Sequence, residues 1–184
     1  MASQKELMLA GQTYLSDDPE LREDRLRCRL LTERLNATGA AEAAARGEIL
    51  HSLLGWLGEG AEVLSPFMCD YGYRISIGAR TFINVGAVIL DSAEVRIGAD
   101  VQIGPSVHLV TPLHPFDPAE RRATAEWAEP ITIYDDAWLA TGVIVCPGVT
   151  IGAGAVIGAG SVVTKDMPAG HVCFGNPCRP VRPV

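Results

Sequence analysis

From about residue 60 onward, large aliphatic residues return at every sixth position. A period of six cannot mark one helix face, because 3.6 residues per turn carry position i+6 to the far side. It fits a chain that makes a short strand, turns a corner and repeats, so that three steps close a triangular coil and coils stack. The aliphatic residues of this period, with a two-residue insertion before Ile97, are Ile77, Ile83, Ile89, Ile97, Ile103 and Leu109, then Ile133, Leu139, Val145, Ile151, Ile157 and Val163.

Glycine commonly follows these aliphatic residues. The pattern predicts that the aliphatic side chains fill the axis, and that glycine allows the positive φ and close backbone approach of a tight corner. Evenly spaced strands of a β-sandwich are the alternative, but six consecutive hits at constant phase favour coils. The glycines are Gly78, Gly98, Gly104, Gly152 and Gly158.

Residues 1–59 have helical spacing instead, and we assign them to an N-terminal helical segment preceding a coil domain of residues 60–184. Ser16, Asp17 and Asp18 before Pro19 offer N-caps for a helix over residues 21–35. Gly11 separates an earlier short helix from this one, and a third helix is predicted from Ala43 to Leu57. The apolar face predicted for residues 21–35 consists of Leu26, Leu30, Leu31 and Leu35.

The hexad register breaks once, between residues 110 and 130. This stretch contains several prolines and charges and no period, so we expect it to leave the coil surface as an extruded loop. Long loops on a rigid scaffold tend to carry function. The loop is therefore the first place to search for chemistry.

Composition and charge narrow the classes of partner. The formal net charge is −7, and this field would repel a nucleic-acid backbone. The sequence has neither a signal-peptide pattern nor an apolar run long enough for a membrane span, so we expect a cytoplasmic protein without membrane contact. Five cysteines without a CxxC pair argue against a disulfide framework or thiolate zinc site.

Five stretches of the sequence resemble the hexapeptide-repeat acyltransferases, and within them the maltose and galactoside O-acetyltransferases. The resemblance covers almost the whole chain. It implies a mainly β fold: a left-handed parallel β-helix of hexapeptide coils with an N-terminal α-helical segment and one extruded loop. The stretches read MLAGQTYLSDDPEL, CDYGYRISIG, TPLHPFDPAER, GVTIGAGAVIGAGSVVTKDMP and GNPCRPVR.

The resemblance implies a homotrimer that transfers acetyl from acetyl-CoA to a sugar hydroxyl, without a required metal, at sites between adjacent subunits. His114 lies in the loop. A hydroxyl that attacks a thioester must lose a proton, and imidazole is the usual base. The match to the family's catalytic histidine identifies His114 as that base.

For the acceptor, an exposed amide at a coil corner, Asn84, can orient a hydroxyl or an acyl group. The resemblance implies acceptor contacts by Asn84 and Asp91, joined by Asp70 and Asp17. Sequence alone does not separate Asp17 from its neighbour Asp18. Arg25 is a further candidate, with a solvated helix charge as the equal alternative.

For coenzyme A, the last twenty residues are basic on an acidic protein, and Arg and Lys bind phosphates well. The resemblance gives Trp138 to the pantetheine arm and the backbone N–H near Thr141 to the developing oxyanion. The cofactor-binding residues that it implies are Trp138, Thr141, Ala159, Thr164, Lys165, Arg179 and Arg182.

Several alternatives stay open at this point. The favoured acceptor is of the glucose or maltose type, but a galactoside or an antibiotic hydroxyl is also compatible with the sequence. A metal-dependent hydratase of the γ-carbonic-anhydrase type uses the same coil, yet the histidines here form no obvious trio and the basic tail would be unexplained. A noncatalytic assembly module would not need the histidine loop.

Overall fold

The N-terminal segment of the computed structural model, which describes residues 2–184, consists of short helices that close one end of the coils. Cys28 and Leu35 from the second helix and Leu50 and Leu53 from the third belong to the same apolar core as the coil axis. Asp18 caps the second helix by accepting a hydrogen bond from the Glu20 N–H at 2.9 Å. The elements are α1 (Gln4–Leu9), β1 (Tyr14–Leu15), α2 (Pro19–Ala37) and α3 (Ala43–Leu53).

Two predictions about these helices need correction. Leu26 and Leu30 are 56% and 53% exposed, whereas Leu35 is buried. Nine residues at 3.6 per turn place Leu35 roughly 180° from Leu26, so the four leucines never shared one face. The predicted third helix also runs too far, because α3 ends at Leu53 and the N–H of Gly55 already donates to Ile75 O in the coils.

The hexad period produces three sheets that wrap a single apolar axis, and the predicted fold class is confirmed. Sheet pairing is parallel and begins at Trp56, paired with Ser76. Sheet I consists of β2 (Trp56–Leu57), β5 (Ile75–Ile77), β8 (Val95–Ile97), β13 (Ile131–Ile133) and β16 (Thr150–Ile151).

Sheets II and III complete each coil. Sheet II ends in an antiparallel pair, whose Cys173 and Cys178 are buried in the core. Sheet II consists of β3 (Glu62–Val63), β6 (Phe82–Ile83), β9 (Gln102–Ile103), β14 (Trp138–Leu139), β17 (Val156–Ile157), β19 (His171–Gly175) and β20 (Cys178–Pro183); sheet III consists of β4 (Phe67–Cys69), β7 (Ala87–Leu90), β10 (His108–Val110), β15 (Ile144–Val145) and β18 (Val162–Val163).

Every aliphatic residue of the hexad series lies at the axis, none more than 4% exposed. The glycines that follow them serve close approach: a Cβ on Gly78 would lie 2.4 Å from the Gly98 carbonyl carbon. The expected positive φ occurs two residues later instead, as at Arg80 (58°) and Gly154 (64°). Each glycine after an aliphatic residue therefore allows the coils to approach each other, and the residue two positions later adopts the left-handed conformation of the corner.

The segment between Val110 and Ile131 leaves the coils as expected, but it has regular structure of its own. It contains β11 (Pro112–Leu113), α4 (Pro118–Arg122) and β12 (Ala125–Ala128). Strand β12 pairs antiparallel with β11 on one side and with β1 on the other. The N-terminal segment thus holds the extruded segment in place. None of the helices within residues 2–184 has the length and apolar character needed to cross a membrane.

Candidate active site

His114 follows β11 directly and is exposed. Its Nδ1 lies 3.9 Å from Oε2 of Glu126, whose carboxylate is mostly buried. A groove of about 610 Å³ opens beside this loop and is lined by Pro115, Phe116 and Trp127, among others. With Nδ1 facing a carboxylate, Nε2 is the nitrogen available to a bound molecule.

The Glu126 carboxylate is held by two hydroxyl groups that sequence reasoning missed, as it missed Glu126 itself. Tyr14 donates to Oε1 through its phenol, and Ser92 donates to the same oxygen at 3.2 Å. Tyr14 is 1% exposed and Ser92 2%, and burial raises the pKa of the Tyr14 phenol, with the Glu126 contact adding to the shift. The one available signal was a lone carboxylate in the apolar stretch of β12.

Asp91 is fully buried, so it lies behind the surface rather than on it. Its Oδ1 accepts from the N–H groups of Asp70 at 3.0 Å and Tyr71 at 2.9 Å. Its Oδ2 has no hydrogen-bond partner among the described residues. Burial raises the pKa of Asp91 to about 6, although these backbone hydrogen bonds act to lower it. Asp91 shapes the turn after β4 that carries Asp70.

Asp70 is half-buried at the end of β4. Burial raises the pKa of this carboxyl first, and the charge of Glu126 raises it further, while Arg25 and Arg29 oppose both. Arg25 donates to Tyr71 Oη at 2.7 Å and to Ser16 O at 2.6 Å. Two of its nitrogens are thereby occupied in tying α2 to the turn that contains Asp70.

The structure separates the two neighbouring aspartates that sequence alone left open. Asp18 is the N-cap of α2, whereas Asp17 is exposed, with Oδ1 3.4 Å from Arg22 Nη1. Oδ1 of Asp18 is thereby engaged by the backbone of the first helical turn. The carboxylate of Asp17 instead lies at the surface beside Arg22.

Three candidates stack along one edge of the β-helix, the corner between sheets II and III. Asn84, Thr141 and Ala159 each follow a sheet II strand. The corners are joined coil to coil by N–H···O bonds, among them Gly142 to Pro105 O at 2.8 Å and Gly160 to Thr141 O at 2.9 Å. Trp138 points outward from β14 nearby and is 51% exposed. We name this corner the II–III edge.

A second group lies along the corner between sheets III and I, the III–I edge. Thr164 and Lys165 follow β18 there, as Asp70 follows β4, and both are exposed. Arg179 and Arg182 lie instead on β20, the last strand of sheet II, where each guanidinium bonds a nearby backbone carbonyl. Neither arginine forms an ion pair within residues 2–184.

The chain thus brings some candidates together and keeps others apart. Asp70, Asp91, Arg25 and Glu126 interact around the III–I edge, and His114 extends from the loop that leaves it. Asn84 and Thr141 lie on the II–III edge, across the full width of sheet III. At about 3.3 Å per residue, a sheet III strand with its corners spans more than ~10 Å. Within residues 2–184, no cluster of three or more His, Cys, Asp or Glu is arranged to hold a metal ion.

Two family models match the chain. One is described as the maltose acetyltransferase hexapeptide capping motif and matches residues 7–58, the segment that closes the coil end. The other is described as the bacterial transferase hexapeptide of six repeats and matches residues 130–165, the later coils.

Relatives and solved structures extend the match over the whole chain. Nodulation protein L of Rhizobium meliloti (strain 1021) is 45% identical over 96% of this chain and 97% of its own. A maltose O-acetyltransferase from Clostridium difficile 630 superposes with a TM-score of 0.97 at 40% identity, covering 100% of this chain and 98% of that one. A hexapeptide-repeat acetyltransferase of Vibrio cholerae O1 biovar eltor, complexed with acetyl coenzyme A, superposes with a TM-score of 0.91 at 37% identity. The match covers 99% of this chain and 98% of that one. The chain belongs to the hexapeptide-repeat acetyltransferases, in the family of the maltose and galactoside O-acetyltransferases.

Proposed function

We propose that the protein transfers an acetyl group from acetyl-CoA to a hydroxyl of a small sugar, with an acceptor of the glucose or maltose type favoured. The observation that carries this proposal is the pairing of His114 with the mostly buried Glu126 in a loop of an acetyltransferase chain. A histidine backed by a carboxylate is a general base for hydroxyl attack.

In the proposed step both substrates are bound together. Nε2 of His114 removes the hydroxyl proton as the sugar oxygen attacks the thioester carbonyl. The tetrahedral intermediate then collapses, the C–S bond breaks, and the proton passes from the imidazolium to the thiolate of coenzyme A. Glu126 stabilises the imidazolium through Nδ1. The 3.9 Å separation is compatible with this role, because such contacts are often long before substrate binds.

The oxyanion is proposed to accept a hydrogen bond from the backbone N–H near Thr141. Preorganised N–H donors at a developing oxyanion commonly supply the largest stabilisation of the transition state in acyl transfer. Thr141 is exposed on the II–III edge, where its own carbonyl bonds the next coil. The backbone at this corner is therefore held rigidly.

Acceptor binding is assigned to Asp17, Asp70, Arg25 and Asn84, with Asp91 acting through the backbone of Asp70. A carboxylate accepts two sugar hydroxyls well, and Asp70 is half-buried close to Glu126. Arg25 contributes by holding Tyr71 and Ser16.

Coenzyme A binding is assigned to the exposed residues of the later coils and tail. The indole of Trp138 offers an apolar surface to the pantetheine arm. Lys165, Arg179 and Arg182 form no ion pair with other residues of the 2–184 range, and their charges suit the phosphates. The backbone of Ala159 and the Thr164 side chain complete the proposed contacts to pantetheine and adenine.

The proposed assembly is a homotrimer with shared sites. His114 and Thr141 lie at edges separated by the width of sheet III, so a site that uses both takes them from two chains. Most outward residues of sheet III also favour burial, because Met68, Val88, Ile144 and Val162 are apolar and only His108 in this row is polar. The outward residues of sheet I after Trp56, such as Arg96 and Thr132, are polar.

Thiol release from acetyl-CoA against a panel of acceptors tests this function. The panel contains glucose, maltose, methyl galactoside and an aminoglycoside, and light scattering measures the assembly in the same buffer. We expect the highest kcat/KM with a glucose-type acceptor and a trimeric mass. A higher kcat/KM with the galactoside or the antibiotic would change the proposed acceptor class. Absence of turnover with every acceptor of the panel would contradict the proposal. Residence in the cytoplasm remains a prediction.

A further inference from the structure

A buried hydrogen-bond network connects the N-terminal segment to the residue that faces His114. Strand β1 pairs with β12 so that Tyr14 lies opposite Glu126. The Tyr14 phenol donates to Glu126 across 112 positions of sequence. The chain therefore uses its N-terminal segment to contact the extruded segment at one particular carboxylate.

The two oxygens of that carboxylate have different surroundings. Tyr14 and Ser92 both donate to Oε1, while Oε2 is the oxygen 3.9 Å from His114 Nδ1. Two donors on one oxygen restrain rotation of the carboxylate, since rotation would break both bonds. The same restraint fixes the direction in which Oε2 points.

We propose that Tyr14 is a positioning residue that acts through Glu126 to hold the His114 ring in its reactive orientation. This inference rests on the function proposed above, in which His114 is the base. Tyr14 is only 1% exposed, which leaves it no surface to offer a substrate. Its contribution is to fix the partner of the base, and misplacement of catalytic groups by about 1 Å can cost up to ~10² in rate.

A purely structural role for Tyr14 is the alternative, because it also packs with Met8, Leu21 and Tyr71 in a small apolar cluster. The chain supplies a matched control in Tyr73, which packs against the same cluster. Its phenol donates to Asp24 Oδ2 at 2.9 Å. Burial raises the pKa of both phenols. Removal of either hydroxyl deletes one tyrosine–carboxylate bond, but only Tyr14 contacts Glu126.

The experiment compares Tyr14→Phe with Tyr73→Phe, using acetyl-CoA and the best acceptor of the panel. We expect Tyr14→Phe to lower kcat about tenfold, with the KM for acetyl-CoA changed less than about twofold. Tyr73→Phe should keep kcat within about twofold of wild type. We expect the two variants to lower the melting temperature by similar amounts. Ser92→Ala removes the second donor to Oε1 and should lower kcat in the same direction, which provides an independent variant should Tyr14→Phe fold poorly.

A double-mutant cycle identifies the route of the effect. If Tyr14 acts through Glu126, Tyr14→Phe should lower kcat less than about twofold in a Glu126→Gln background. The same tenfold loss in both backgrounds would overturn the proposal, as would a wild-type kcat in both Tyr14→Phe and Ser92→Ala. Failure of the underlying function is distinguishable, because it would appear as an active His114→Ala variant. An inactive His114→Ala beside a wild-type kcat in both Tyr14→Phe and Ser92→Ala overturns this inference alone.

Discussion

Ile151 at the coil axis and Glu126 in the extruded segment are both buried, yet different contacts hold them. Ile151 belongs to a column of aliphatic residues from successive coils, and neighbouring strands place equivalent residues against each other, as with Ile133. Glu126 depends on two hydroxyls from distant parts of the chain and faces an exposed imidazole.

This difference separates stability from chemistry. Coil contacts repeat, are apolar and tolerate no charge, so each axial residue contributes mainly to folding. The contacts of the extruded segment are few, polar and directional, so each contributes mainly to the orientation of one group. Substitutions in the two regions should therefore change different measurements.

The largest expected effect is on folding. Ile151→Glu places a carboxylate without a partner at the axis, and an unpaired buried charge costs several kcal/mol. We expect no folded protein by circular dichroism and light scattering. Thr132→Glu, on the outer side of neighbouring β13, is the control and should fold normally. A native melting temperature for Ile151→Glu would contradict the conclusion that axial residues contribute mainly to folding.

His114→Ala tests the other region. We expect kcat to fall by about 10² to 10⁴, the range of a lost general base, while assembly, melting temperature and coenzyme A binding change little. The reason is that the exposed loop contributes little to the axial core. His51→Ala, on α3, is the control. If His114→Ala kept more than about a tenth of wild-type kcat, or if activity and assembly vanished together, His114 would not be a base on a separable loop.

Arg179→Ala sharpens the comparison for the tail, which is neither axis nor loop. Loss of one charge-assisted phosphate contact should raise the KM for acetyl-CoA about ten- to a hundredfold, while the acceptor KM changes little. Arg34→Ala, an exposed arginine of α2, provides the reference. An unchanged acetyl-CoA constant would leave Arg179 as a solvated surface charge.

Asp91→Asn has the smallest expected effect and depends on pH. Burial raises the pKa of Asp91 to about 6 in the folded chain, whereas the unfolded value is about 3.9. The folded state therefore binds more protons between these values, and wild-type stability falls as pH rises from about 4 to 6. Asparagine keeps an oxygen for the two backbone N–H donors and has no charge to bury.

The measurement for Asp91→Asn is its melting temperature relative to wild type at pH 8 and at pH 5. We expect the variant to melt a few degrees higher at pH 8 and the advantage to shrink at pH 5. Asp100→Asn is a suitable reference, because Asp100 is only partly buried and its Arg80 contact lowers the pKa of its carboxyl. A constant difference at both pH values would contradict the assigned shift.

The sequence by itself determined the coils and their phase. One aliphatic residue in six, repeated at Ile133 and onward, suffices because each coil makes the same contacts with the next. Loops were harder to anticipate: the extruded segment was located by its broken period, but its strands β11 and β12 have no periodic signal.

The candidate site was predictable only in part. Motif and charge led to the predictions for His114 and the basic tail, whereas the different surroundings of Asp17 and Asp18 became visible only with the cap geometry. The wrong face assigned to α2 has another origin, since nine residues at 3.6 per turn already place Leu26 and Leu35 on opposite sides of the helix. Leu35 docks on the core, and Leu26 therefore remains in solvent.

Only the tertiary structure decided which residues surround the histidine. Tyr14, Ser92 and Glu126 lie far apart in sequence, and none belongs to a local pattern. They meet because β1 and the turn after β7 approach β12. The repeating apolar contacts join neighbouring coils, so the six-residue period of the sequence predicts them. A directional polar network forms only where separate segments are brought within hydrogen-bond distance.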